Sequence, residues 1–174
     1  MKSHYMLVFA CLWGLAQSHP STGNLAATIR ASQSSIADHL GNAGNAIDGN
    51  ANTDCKLGSC SSTAIERSPW WRVDLFYHYH VYVVLITTSK NGEGLQGAEI
   101  RIGDSTENNG NNNALCAKIE SIAAGTTARF ACGGLGVHGR YLNIIIPGRN
   151  AALSLCEVEA FGTHEPHHEE ELQS

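Results

Sequence analysis

Residues 69–88 read PWWRVDLFYHYHVYVVLITT, a run dominated by aromatic and β-branched side chains. Such side chains fit the pleated surface of a sheet and lose rotamer freedom in a helix. Trp71 to Tyr77 and Val81 to Thr88 are therefore expected as strands, and they decide the fold class. Outward from them, Ala98 to Ile102, Arg129 to Cys132, Tyr141 to Ile146 and Leu155 to Phe161 repeat the pattern. Between them lie Asn91-Gly92-Glu93-Gly94, the run Asn108 to Asn113, Gly133-Gly134 and Pro147-Gly148. These are turn signals, because Gly and Asn tolerate positive φ. Helix is expected only as single turns, near Asn45 to Ile47 and Ala114 to Lys118. Short antiparallel strands at this spacing predict an all-β, single-domain β-sandwich or jelly roll.

The ends of the chain read differently. Lys2 followed by the apolar run Met6 to Ala16 and the small residues of Ala16-Gln17-Ser18 has the layout of a secretory signal. That run is too short to span a bilayer. Residues 1–18 are thus expected as a signal peptide, 23–162 as the domain, and 163–174 as an acidic, His-rich, disordered tail. The tail histidines His164, His167 and His168 could hold a transition metal weakly, but a solvated tail is the simpler reading. Net charge is -5 and no Lys/Arg stripe forms, so nucleic acid is excluded as a partner. No transmembrane segment is expected, and the chain reads as secreted and extracellular.

Of the six cysteines, Cys11 lies in the signal run, leaving Cys55, Cys60, Cys116, Cys132 and Cys156. An oxidising compartment makes disulfides the default, and an odd count leaves one thiol free or paired with another chain. Zinc fails on spacing, and the pairing itself is open at this point. No G-x-S-x-G, H-E-x-x-H or phosphate-loop motif occurs, so the chain is read as a binding module and not an enzyme. His78 and His80 share one strand face, a metal or acid–base pair in principle and an exposed face more simply. Asn45-Ala46-Ile47-Asp48-Gly49-Asn50 gathers amide and carboxylate oxygens in a tight loop, as calcium requires and as ordinary Asx turns also use.

Six stretches in register resemble the F-type lectins, or fucolectins: NAIDGN (45–50), GSC (58–60), PWWRVDL (69–75), GAEIRIG (97–103), GRYLNIIIPG (139–148) and LCEVEAFG (155–162). The resemblance covers residues 24–162. It implies a discoidin-like, galactose-binding-domain-like jelly roll stapled by disulfides, a lectin of innate immunity, and a structural Ca2+ ion. The matching ligand positions are Asn45, Asp48, Asn50, Ser59, Cys156 and Glu157. The resemblance further implies the disulfides Cys60–Cys156 and Cys116–Cys132, with Cys55 as the free thiol. Arg72 and Asp74 are expected to pair with each other within the Trp-rich strand. Homo-oligomers are consistent with the trimers that some family members form.

The family's fucose motif is broken here. It uses a His, two Arg and an Asp, with an adjacent-cysteine disulfide against the sugar. Counting from Cys60 and Trp70 puts Ser62 at the His position, Ser89 at the first Arg and Asn91 at the Asp. The loop Gly92 to Gln96 lacks the second Arg and both cysteines. Charged hydrogen bonds contribute roughly 1.5–3 kcal/mol each, against about 4 kcal/mol for millimolar binding, so losing them erases the inherited fucose site. Ser62, Ser89, Lys90, Asn91 and Glu93, with Arg67 leaning in, could rebuild a polar carbohydrate site. The expected function is a secreted calcium-binding carbohydrate-recognition module with lost or altered fucose specificity. The alternative is a protein- or lipid-interaction module on the same scaffold, with Cys55 able to link chains.

Overall fold

The computed structural model describes residues 23–27 and 30–164, and the segment that decides the fold forms one long strand, Trp70–Thr88. The expected signal peptide and residues 165–174 of the expected tail lie outside the described residues. In chain order the strands are β1 (Arg30–Gln33), β2 (Ser61–Ser62), β3 (Glu66–Arg67), β4 (Trp70–Thr88), β5 (Leu95–Gly103), β6 (Ala114–Ile122), β7 (Thr127–Ala131), β8 (Val137–Ile145), β9 (Asn150–Ala151) and β10 (Ser154–His164). Among the described residues, only short 3-10 turns accompany them, at Ala43–Ile47, Cys55–Leu57 and Glu107–Gly110. All pairings are antiparallel. No helix among the described residues is long and apolar enough to cross a membrane.

Two layers form because β4 changes neighbours halfway. Its first half pairs with β1 and β8, through Arg30↔Asp74 and Asp74↔Tyr141. Its second half pairs with β10 and β7, through Val84↔Ala160 and Val84↔Phe130. The exchange of β1 for β10 brackets a register shift between Asp74 and Tyr79, where Phe76 takes φ 65° and its N–H donates to Asp74 Oδ1, while β8 stays paired as far as Val81 and β7 follows from Val83. The buried set keeps its parity through this bulge, from Trp71, Val73 and Leu75 to Val81, and moves to Val84 and Ile86 only past a second register shift, against β10 between Phe161 and Gly162. An odd insertion in a period-2 strand has that effect. The layers close over Ile100, Ile102, Leu142, Ile144, Leu155 and Val158, an all-β sandwich as expected.

Several local expectations change. Trp71–Tyr77 and Val81–Thr88 are not two strands, because Phe76 bends the backbone without ending it. Asn45–Ile47 falls in a 3-10 turn, but Ala114–Lys118 is strand: β6 pairs with β5 along its length, and that pairing overrides local helix propensity. Strand β10 continues past residue 162, with Thr163 and His164 paired to His80 and Tyr79. Arg72 and Asp74 do not pair with each other. Asp74 takes two hydrogen bonds from the Arg140 guanidinium, at 2.7 and 2.8 Å, while Arg72 stacks between the Trp70 and Tyr141 rings. Arg140 comes from the neighbouring strand and reaches Asp74 bidentately, and it holds that carboxyl below the usual range. His78 and His80 do share a face, both rings meeting His138 across the β4–β8 pair.

Two bridges form, Cys60–Cys156 and Cys116–Cys132, and Cys55 is left as a half-buried thiol.

Candidate functional site

The Asn45–Asn50 loop and the start of β10 meet at one edge of the sandwich. The 3-10 turn Ala43–Ile47 ends at Asp48, and Gly49 follows with φ 82°, a left-handed conformation that favours glycine. The Asn45 amide nitrogen is engaged by the Leu40 and Cys60 carbonyls, at 2.6 and 3.1 Å. Asp48 accepts the Asn50 N–H at 2.8 Å, and Asn50 in turn accepts from Asn52. Ser59 is buried and its hydroxyl donates to the Asp54 carbonyl. On the other side, the β4–β10 pairing skips a residue between Leu155 and Glu157. This bulge at Cys156 is the backbone device that re-aims neighbouring side chains.

Glu157 is the electrostatic anomaly of this edge. It is 3% exposed, and neither carboxylate oxygen has a hydrogen-bond partner among the described residues. Burial, followed by the negative charges of Asp48 and Glu159, pushes its carboxyl up to about 7, against a small pull from the Gly49 amide. An ionised carboxylate left like this is costly. A proton would relieve it, and so would a cation. Two carboxylates beside amide, hydroxyl and backbone oxygens form the donor set that a hard divalent ion takes. The residues present fit calcium.

A cleft of about 540 Å3 opens a short distance away. Four of the five residues considered for sugar line it: Ser62, Ser89, Asn91 and Glu93. Lys90 does not. Its backbone N–H is tied to the Thr53 carbonyl and its Nζ sits 3.1 Å from Asp54, which holds that carboxyl low. Arg67 is also absent from the lining, although its strand β3 pairs with β9, whose Asn150 and Ala151 do line it. Its place is taken by Arg149, which donates to the Gln96 carbonyl. Ser62 shares a 2.6 Å hydroxyl contact with Ser154. Ser89 accepts the Asn91 N–H on its hydroxyl, and the Asn91 side-chain Oδ1 accepts the Cys55 N–H at 2.9 Å. The cleft wall thus offers hydroxyls, three side-chain amides, one carboxylate and one guanidinium. Gly94 is required beneath it, since any Cβ there would lie 2.1 Å from the Ile122 carbonyl.

Arg149 was not visible from spacing. It follows the turn Pro147-Gly148, and it meets the 92–96 loop only because β8 lies beside β5. The signal available was an arginine next to a turn, which is common on any surface.

Comparison with known proteins gives this geometry a lineage. The family model of the NedA-like, galactose-binding domain matches residues 45–144. Fucolectin-1 of Anguilla japonica is 42% identical over 142 residues, covering 78% of this chain and 79% of that one. The fucolectin of Anguilla anguilla is 41% identical, with 78% and 89% covered. The crystal structure of a serum F-lectin (fucolectin) from Morone saxatilis, the striped bass, superposes with a TM-score of 0.78 at 48% identity. That superposition covers 83% of this chain, which spans about half of the bass lectin's length (48%). On this identity and coverage, the chain belongs to the F-type lectin (fucolectin) family.

Proposed function

We propose that the chain is a secreted carbohydrate-recognition module, supported by a structural calcium ion, whose cleft reads a glycan other than free fucose. The observation that carries this reading is the cleft itself: Ser62, Ser89 and Asn91, which fall at the family's sugar-motif positions with the charged fucose donors replaced, face one concavity together with Glu93 and Arg149. The leader read at 1–18 supports export. Arg149 is the one guanidinium in the lining, so it is the strongest single donor available to a ligand there. Calorimetric titration tests this. L-fucose at high concentration gives no heat, while a glycan selected on an array binds, and Arg149→Ala weakens it about 10- to 100-fold. Millimolar fucose binding, or an array hit indifferent to Arg149→Ala, defeats the proposal. An empty array would favour a protein or lipid partner at the exposed Ile65 rim.

Asn45, Asp48, Asn50, Ser59, Cys156 and Glu157 would hold the calcium, with Cys156 contributing its main-chain carbonyl because its sulfur is in a disulfide. The ion supplies charge neutralisation to Asp48 and Glu157. A site filled a hundredfold above its dissociation constant adds about 2.7 kcal/mol. For a chain of this size that is roughly 5–10 °C in Tm. The pH dependence has a definite sign. Glu157 is raised in the folded state, so the stability of the calcium-free protein is full below its ordinary pKa and falls as pH rises through about 7. Calcium competes with that proton, so the calcium-induced gain in Tm grows between about pH 5 and about pH 8. Glu157→Gln removes both the gain and the pH slope. Equal Tm with calcium and with chelator at the higher pH would remove calcium from this account.

A further inference from the structure

The disulfide pairing leaves Cys55 without a covalent partner, yet not without sulfur neighbours. Its Sγ and the two Sγ atoms of the Cys60–Cys156 bridge all lie within 4.8 Å of one another. Cys60 and Cys156 are buried, whereas Cys55 is half-buried and lines the cleft. The thiol therefore touches solvent on one side and a sealed disulfide on the other. Its position is held by the Asn91 side chain on its N–H and by the 3-10 turn that it opens. A soft metal is an inferior use of these sulfurs, because the bridge has already consumed two of the three thiolates.

We propose that Cys55, Cys60 and Cys156 form a thiol–disulfide exchange site at the floor of the cleft. Cys55 loses its proton, and the thiolate sulfur attacks one sulfur of the bridge. A Cys55–Cys60 or Cys55–Cys156 bond forms as the Cys60–Cys156 bond breaks, and the electron pair leaves on the displaced sulfur, which takes up a proton. One thiol and one disulfide stand on each side of the step, so no external oxidant or reductant is needed. The thiolate is the attacking form, as for any thiol, so exchange quickens as pH rises. Attack at Cys60 has a structural readout. It frees Cys156, next to Glu157, and unpins the start of β10 from the Ser59–Ser61 segment.

The test uses the native oxidised protein, independently of any sugar or calcium result. Samples held below the melting temperature at about pH 6 and about pH 8.5, on either side of an ordinary thiol's reactivity, are quenched with acid, alkylated, digested and mapped by mass spectrometry. The expected result is a non-native bridge to Cys55 with alkylated Cys60 or Cys156, severalfold more abundant at the higher pH. Cys116–Cys132 stays intact as the internal control. Cys55→Ser gives Cys60–Cys156 alone at both pH values, with neither cysteine alkylated. Recovery of only the native bridge from the unmodified chain at both pH values, with Cys55 alkylated or not, overturns the proposal.

Discussion

Removing the long staple with Cys60→Ala and Cys156→Ala together lowers the unfolding free energy by about 4–5 kcal/mol. The bridge closes a loop with a sequence separation of 96, and chain-entropy arithmetic gives that size for a loop near a hundred residues. The double variant is the fair comparison, since a single replacement leaves a second free thiol beside Cys55. Urea unfolding followed by tryptophan fluorescence measures it, with the wild-type protein kept oxidised. β2 and β10 pair through only two residues, and the staple reinforces a short ladder whose side-chain support includes the Ser61 hydroxyl on the Leu155 carbonyl. A loss under about 1 kcal/mol would mean that the unfolded chain is already restrained at this point, and that the loop-closure argument is wrong here.

Trp71→Ala costs a comparable amount, about 3–5 kcal/mol, by deleting a large side chain from a packed interior. Trp71 is fully buried, and its indole N–H donates to the Ala43 carbonyl at 3.0 Å. Ala43 opens the turn that carries Asn45, so the same residue props the core and fastens the candidate calcium loop. Trp71→Phe separates the two roles. It keeps most of the volume, and losing one hydrogen bond costs about 1 kcal/mol. The calcium-induced rise in Tm should shrink with Trp71→Phe by more than its small loss of core stability explains. If Trp71→Phe leaves the calcium response intact, the indole bond is a packing detail and nothing more.

Much of this was legible in the chain, for identifiable reasons. The aromatic and β-branched runs read as strands because side-chain shape acts locally, and the six family stretches fixed their order. What escaped was decided across strands. Phe76 carries a left-handed bulge that no local preference announces, so one strand looked like two. Ala114–Lys118 looks helical until β5 is laid beside it. Asp74 found Arg140, not Arg72, because the better hydrogen-bond geometry came from the neighbouring strand. Lys90 was a fair candidate by position and was lost to Asp54, two residues from the Asn52 turn. Arg149 reached the cleft only through the packing of β8 on β5.

The passage of β4 from one layer into the other bears on how the cleft fluctuates. Sandwiches made of two separate sheets can open along their seam, each sheet keeping its own hydrogen bonds. Here a single backbone runs through both, so neither layer can part from the other without breaking the ladder that serves its neighbour. Opening is therefore shared, and local excursions are confined to the rims. Ser89 follows directly on the last residue of that strand and Asn91 lies two further on. These two cleft residues hang from the end of that strand and bond to each other through the Asn91 N–H and the Ser89 hydroxyl, which ties the ligand-facing wall to the shared ladder.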